Sequence, residues 1–250
     1  MVENRIIEVI REAIVSLERP DLFREPLVSF SSAEDERYPR LKTLIGDWHA
    51  LPEELLPGAK SIVSYFVPFT EEVVDGPRSV QNGSPIWGEA YIVINAYFNE
   101  INRLICSELE SHGHRALAMK PTHTYDPKEL KASWSQRSAA AIAGIGAFGA
   151  NRMLITEKGC GGRYCSVITT ARLKPNTVPA QERCLYHLDG SCGLCFDICP
   201  VGALSAGAFE KFVCQTELNR NGALLVESDH IVGADTCGKC ISVCPVAYIE

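Results

Sequence analysis

Eight of the eleven cysteines fall between Cys184 and Cys244, in two sets that end alike. The first set is Cys184, Cys192, Cys195 and Cys199, followed by Pro200, and the second is Cys214, Cys237, Cys240 and Cys244, followed by Pro245. Each closes on Cys-x2-Cys-x3-Cys-Pro. Four thiolates per set is the ligand count of a four-iron cluster, and in two-cluster ferredoxins the cysteine before proline crosses to the other cluster. With that crossing, one cluster takes Cys184, Cys192, Cys195 and Cys244, and the other takes Cys199, Cys214, Cys237 and Cys240. A CxxC pair also suits tetrahedral zinc, but zinc does not call for duplicated Cys-Pro endings. The chemistry expected of two [4Fe-4S] clusters is one-electron transfer.

One position departs from the usual Cys-x2-Cys-x2-Cys-x3-Cys run. Asp189 stands where its first cysteine belongs. Cys184, five residues earlier, is the natural replacement if YHLDGS loops back, and Asp189 as an oxygen ligand is the competing reading. Cys214 also lies far upstream of its CxxC pair, so an early first ligand is common to both halves.

These ligands need a frame. Ile6, Ile10, Ile14 and Leu17 keep helical spacing until Pro20, and residues 21–57 read as loops and short helices. SIVSYFV, Ser61 to Val67, is a buried strand ended by Pro68. After a turn-rich loop, Ile94, Phe98, Ile101, Ile105 and Leu109 mark one face of a long helix closed by Gly113, and Arg115 to Met119 is the next strand. Trp134 to Ala143 is a small-residue helix running into Gly144. Arg152 to Thr156 and Ser166 to Thr170 are expected to form a hairpin around the tip EKGCGGRY. Pro175 and Pro179 form a linker. The expected organisation is an α/β (α+β) domain over residues 1–178 followed by a ferredoxin-like module over residues 179–250.

Composition agrees with an ordinary globular protein, 46% hydrophobic and 22% charged over 250 residues. Formal net charge is -7, and from Cys184 onward eight acids face three bases. That module repels phosphate, so nucleic acid is an unlikely partner; a low-potential electron donor protein with a basic face suits it better. The first twenty residues are too charged for a secretory signal and no run is long enough to span a membrane. With no export signal and cysteines grouped as ligands, the expected setting is the reducing cytoplasm.

Gly144 to Gly149, GIGAFG, matches the dinucleotide fingerprint literally. The fingerprint works only after a strand and at a helix start, with an acid about twenty residues later. Here an alanine-rich helix precedes it and Thr169 and Thr170 stand near the place of the acid, so no nicotinamide site is expected. The glycines instead permit close approach of a large ligand or of packed backbone.

SAAAIAGIGAFGANRMLIT resembles the segment of epoxyqueuosine reductases that carries a small-residue helix, then AGLG, an aromatic, G and N. AKSIVSYFVPF is similar to their first core strand, WGEAY at Trp87 to Tyr91 to their W-G-x-x-Y segment, and a double-cluster module ends both. The likeness covers about residues 55 to 247. It implies a nitroreductase-like core, akin to that of reductive dehalogenases, that holds cobalamin with its lower base detached, with the ferredoxin module feeding electrons to it. Trp87, Tyr91, Ala140, Gly144, Gly146, Gly149, Asn151, Gly161 and Gly162 are then the implied cobalamin contacts. The closest likeness is to a short branch sharing PTH, W-S and EKGC-x-GR segments, without the helical-repeat region that helps hold tRNA: six residues follow Cys244. The family's acidic proton donor has no match in KELKASWSQRS beyond Glu129, so a small organic substrate is expected.

A proton donor is still required for such a reduction. His123, Tyr125 and Asp126, in a loop after a predicted strand, are the candidates, against an ordinary turn held by Asp126-Pro127. Cys160 and Cys165 flank the glycine-rich tip as a redox pair, metal ligands or inert thiols, whereas Cys106 beside a helix stripe is structural. The function expected is a cobalamin-dependent iron-sulfur reductase. The alternative is a cobalamin-handling or electron-transfer protein without its own organic substrate.

Overall fold

The computed structural model describes residues 2–121 and 125–250. Along the chain run α1 (Val2–Ser16), β1 (Leu27–Ser32), α2 (Arg37–Leu44), α3 (Pro52–Leu55), β2 (Ser61–Pro68), α4 (Glu71–Asp75), α5 (Pro85–Ser111) and β3 (Ala116–Ala118). Then follow β4 (Tyr125–Asp126), β5 (Lys131–Ala132), α6 (Gln136–Ile142), β6 (Gly146–Phe148), β7 (Leu154–Thr156) and β8 (Gly162–Thr169). The cysteine-rich part holds α7 (Leu185–Asp189), α8 (Leu194–Asp197), α9 (Lys211–Asp229) and α10 (Lys239–Ser242).

The main sheet has the order β1-β2-β8-β3 with every neighbouring pair antiparallel. Hence β2 and β3, linked through α5, run parallel with β8 between them. Every residue of β2 is buried, because alternate side chains enter different layers. Val63, Tyr65 and Val67 join the core made with α1 and α5, while Ile62 packs with Tyr38, Leu41, Trp134 and Ile142 from the opposite side. Phe66 stacks on Tyr164 at 4.4 Å on that second side. Burying a side chain of this size contributes about 1.5–3 kcal/mol, so β2 contributes strongly to the frame, as does α5 with its buried Ile94, Phe98, Ile101 and Ile105.

Three expectations change. β1 lies in the stretch read as loops; it pairs with β2 over six residues, Leu27 opposite Phe66 to Ser32 opposite Ser61. The hairpin joining residues 152–156 to 166–170 does not form. β7 pairs with β6, and β8 runs along the whole of β2 from Ser61 opposite Thr169 to Pro68 opposite Gly162. Eight buried partners on β2 outcompete the three residues that β7 offers. The glycine-rich run is also a strand, not a helix start: Gly146 opposes Thr156, which removes the geometry a dinucleotide would need.

The cysteine-rich part is seated on the core through small residues. Gly83 and Gly88, flanking and starting α5, lie so close to Leu225 of α9 that an added Cβ would stand 3.0 and 3.2 Å from its side chain. At the other edge, the amides of Cys160 and Gly161 both donate to the Ala247 carbonyl, at 2.9 and 3.0 Å. Arg24 reaches across to the Ile249 carbonyl at 2.7 Å and covers the Tyr248 ring at 4.3 Å. No described helix is long and apolar enough to cross a membrane.

Candidate metal centres and cofactor cavity

All eleven cysteines are free thiols. Cys184, Cys192, Cys195 and Cys244 line one small cavity together with Ala150, Asn151 and Tyr186. Cys199, Cys214, Cys237 and Cys240 line a second. The grouping is the crossed one, because the turn after each CxxC pair carries Cys199 and Cys244 over to the other half. Short helices set this up: α8 and α10 each begin inside a CxxC pair, and α7 carries the chain back so that Cys184 reaches the first cavity. Asp189 does not line it; its Oδ1 accepts from the Ser191 amide at 2.8 Å and holds the turn.

The thiols behave as a crowd of like charges. Burial first, and then Cys244, Cys192 and Cys184, push Cys195 up to about 11. Burial, Cys237 and Cys199 push Cys214 to about 11, and burial with four neighbouring cysteines, Cys195 of the first set among them, pushes Cys240 to about 12. Gathered this way the thiols keep their protons unless a cationic centre, such as the iron of a cluster, replaces them. Backbone donors already point at the sulfurs, Ala150 N to Cys184 at 3.4 Å and Ala203 N to Cys199 at 3.2 Å. Among the described residues no three Cys, His, Asp or Glu side chains close around one ion position.

Cys160 belongs to neither set. It is fully buried, and Asn151 Nδ2 donates to its sulfur at 3.5 Å. The neighbouring Cys244 and burial hold the Cys160 proton on, while Cys160 pulls Cys244 below its ordinary value. Cys165 lies elsewhere, in β8, where Asn102 Nδ2 donates to it at 3.3 Å and Tyr65 donates to Asn102 at 2.8 Å. The two thiols have separate surroundings and are not a redox pair.

The second cavity, about 300 Å³, opens from its cysteines onto the core domain. Its core wall is Trp87, Tyr91, Arg137, Asn151, Arg152, Met153, Gly162 and Arg163. Arg163 lies over the Tyr91 ring at 4.5 Å and donates to Asn95 Oδ1 at 3.2 Å. Although the Arg137 guanidinium is open to the cavity, the surrounding protein and then the charge of Arg163 pull it below its ordinary value. No carboxylate among the described residues faces either arginine closely; Glu217 and Asp235 stand on the opposite wall. Thr236 Oγ1, buried and without a hydrogen-bond partner among the described residues, also lines this space. A flat aromatic wall, guanidinium donors and a waiting hydroxyl fit a planar group rimmed with amides, such as a corrinoid.

The residues implied as cobalamin contacts divide. Trp87, Tyr91, Asn151 and Gly162 line the cavity. Gly144 packs against Asn176 and Val178, Gly146 and Gly149 against Ile155, and Gly161 against Val74, while Ala140 sits in a core cluster with Phe66 and Tyr164. Arg137, Arg152, Met153 and Arg163 were not anticipated, although they flank the recognised segments in SQRSAAA, ANRM and GGRY. Of the proton-donor candidates, Asp126 Oδ1 accepts from the amides of Lys128 and Glu129 at 2.7 and 3.1 Å, as an ordinary turn would have it. Tyr125 pairs with Ala132 in the β4–β5 hairpin, and His123 lies outside the described residues. This hairpin reaches the cavity rim: Lys211 Nζ donates to the Glu129 carbonyl at 2.7 Å, and Phe209, two residues earlier, lines the cavity.

No family model matches the chain. An epoxyqueuosine reductase of Bacillus subtilis (strain 168) is 29% identical over 210 residues, 78% of this chain and 49% of the relative. One from Bacillus cereus is 27% identical over 208 residues, with 78% and 50% covered. The chain thus spans about half the length of the curated relatives it matches. A solved epoxyqueuosine reductase in complex with an epoxyqueuosine-modified tRNA-Tyr stem loop superposes with a TM-score of 0.62 at 26% identity, over 99% of this chain and 66% of that one. A reductive dehalogenase described as B12-dependent shares the fold, with a TM-score of 0.51 at 14% identity over 72% of this chain and 23% of that one. The stem loop is bound by the solved relative, and it runs against the expectation, drawn from net charge, that nucleic acid is an unlikely partner. Net charge averages the whole surface, whereas three arginines are concentrated on one cavity wall.

Proposed function

We propose that this chain, a relative of the epoxyqueuosine reductases in sequence and in fold, is a two-cluster, corrinoid-dependent reductase acting on an oxidised nucleoside of the queuosine-precursor type in tRNA. The observation that carries the reading is the joint lining of one cavity by four cluster cysteines and by Trp87, Tyr91, Arg137 and Arg163 of the core. On this reading residues 1–178 are a nitroreductase-like corrinoid domain and residues 179–250 a ferredoxin-like module, fed by a low-potential electron donor protein.

When bound, the two clusters supply single electrons and the cobalamin supplies the cobalt at which the substrate is reduced. The chain's own residues hold, order and shield. Cys184, Cys192, Cys195 and Cys244 would hold one cluster, and Cys199, Cys214, Cys237 and Cys240 would hold the other, whose cysteines line the larger cavity. Tyr91, pressed by Arg163, offers a flat surface, and Arg137 and Arg163 offer donors to amide or phosphate oxygens. Glu217 and Asp235 lie across from them, so the wall attracts an anionic group without the cavity as a whole becoming strongly basic. On this reading the proton comes from the segment before α6: Asp126 Oδ1 holds its own turn, and Tyr125 of the rim hairpin and His123, which lies outside the described residues, are the residues proposed to deliver it.

The test uses protein purified without air. Metal analysis should find about eight irons per chain, and adding hydroxocobalamin should bind it and give a reducible cobalt. Incubation of the loaded protein with reductant and an epoxyqueuosine-containing tRNA stem loop should yield queuosine. Iron and cobalt without product would reject the substrate while leaving the cofactor reading; absence of corrinoid binding would reject both.

A further inference from the structure

The edge of the larger cavity leaves aromatic rings in solvent and sets ammonium groups between them. Phe209 lines that cavity and is still 44% exposed; Phe212, in the first turn of α9, is 54% exposed, and Trp48, between α2 and α3, is 43% exposed. The β4–β5 hairpin joins the rings into one strip. Lys131 Nζ lies over the Trp48 ring at 4.5 Å and pairs with Glu129 at 3.0 Å. The Glu129 carbonyl accepts from Lys211 Nζ at 2.7 Å, and that ammonium stands 5.1 Å from the centre of the Phe212 ring. The local backbone holds the rings where they are. Gly46, at φ +143° and without a side chain, leaves the space that the far edge of the Trp48 ring fills. Phe209 is bridged to Leu204, and the Glu210 amide donates to the Ala203 carbonyl at 2.8 Å.

Exposed apolar rings gathered at the edge of a cavity mark a binding surface. Ring and ammonium alternate along this strip, as base and phosphate alternate along a nucleic-acid strand. Charge agrees. Glu129 is taken up by Lys131 and Asp126 by the amides of its own turn, while Lys211, and Lys128 of the hairpin turn, have no carboxylate partner among the described residues. A duplex keeps its base faces stacked inside and has none to offer the rings, whereas an unpaired loop does. We propose that Trp48, Phe209 and Phe212, with Lys128, Lys131 and Lys211, dock the unpaired loop of an RNA stem loop. The bases flanking the one that enters the cavity stack on the rings. An arriving base takes the place of the lysine on a ring, and the freed ammonium turns to the neighbouring phosphate. The strip holds and orients the loop and takes no part in the reduction.

This inference rests on the tRNA reading above, and the experiment separates the two. Protein purified without air and loaded with hydroxocobalamin is titrated into a fluorescein-labelled anticodon stem loop lacking the modification, and the anisotropy gives Kd at several salt concentrations. A blunt RNA duplex of the same length is the control for charge alone. Trp48→Ala and Phe212→Ala should each weaken stem-loop binding about fivefold to a hundredfold, the range for losing one stack of a base on a ring. Trp48→Phe, which keeps a ring, should stay near wild type. Lys211→Gln should lower the salt slope of log Kd by about 0.7, one phosphate contact on a single strand. Val15→Ala, at an exposed position of α1, should bind as wild type, and urea midpoints show that each variant is folded. If only the modified loop binds, the same variants are compared on it. Binding by wild type that neither ring variant weakens, or equal binding of the duplex, would overturn the docking strip and leave the tRNA reading standing. A wild-type protein that binds no stem loop, with or without the modification, would remove the tRNA reading and the inference together.

Discussion

The amide of Ala150 donates to the sulfur of Cys184 at 3.4 Å, across the seam between the core and the cysteine-rich part. The glycine-rich segment that ends at Ala150 thus reaches a cysteine of the first set with its backbone, whereas most of its side-chain positions are spent on packing against Ile155.

That contact makes Cys184 a stringent test of the early first ligand. Cys184→Ser should lower iron from about eight to about four per chain, while Asp189→Asn leaves iron unchanged and costs only a turn contact. Parallel iron assays and spectra on the two variants check this; a loss in Asp189→Asn with none in Cys184→Ser would reverse the assignment.

Arg163 is the best probe of the cavity wall. Arg163→Met keeps the chain length against Tyr91 but removes the charge and its donors, and should weaken hydroxocobalamin binding about tenfold, or about 1.4 kcal/mol. An absorbance titration measures it. Equal affinity in the variant would mean that the corrinoid does not use this wall.

Much of this was readable before any fold was known. The cysteines proposed as cluster ligands keep fixed local spacings, so the two fours could be read from Cys192, Cys195, Cys199 and their counterparts, and the same fours line the two cavities. β2 and α5 announced themselves by periodicity. β1 did not, because LVSFSS is half polar and becomes a strand only by pairing with β2. The glycines of GIGAFG were expected to permit close approach of a large ligand or of packed backbone, and it is protein that they meet: Gly146 and Gly149 lie against Ile155, and Gly144 against Asn176 and Val178; the spacing reveals that something approaches closely but not what it is. The arginines of the wall were overlooked for the same reason, since nothing local distinguishes Arg163 from an exposed surface arginine.

Tyr65 carries a stability prediction. Its hydroxyl is fully buried and donates to Asn102 Oδ1 at 2.8 Å. Tyr65→Phe leaves that oxygen poorly satisfied in the core and should destabilise the protein by about 1–3 kcal/mol, read as a lower urea midpoint at unchanged slope. A midpoint equal to wild type would mean that the Asn102 side chain finds other partners.

His49 gives a pH dependence. It is 1% exposed, lies against the Trp134 ring at 5.7 Å, and its Nε2 accepts from the Ser135 amide at 3.2 Å just before α6. Burial pulls its imidazole below the ordinary value, so the folded state keeps it neutral. The unfolded chain takes up the proton at about pH 6.5, so this contribution is complete above that pH and is lost as pH falls through the lowered folded value. Thermal melts from pH 7.5 to 5 should show a steeper decline in wild type than in His49→Asn; parallel curves would assign the decline to other groups.

The position of β8 sets an order of assembly. β2 and β3 are synthesised well before it, yet neither is joined to the other until β8 enters between them, so a growing chain carries two unsatisfied strand edges up to Thr169. Only fourteen residues separate that closing strand from Cys184. The frame therefore completes shortly before the metal-binding segment becomes available, and iron is offered to a module whose docking surface already exists. A lesion that delays β8 should accordingly leave the cell with iron-poor, aggregation-prone protein even when every cysteine is intact.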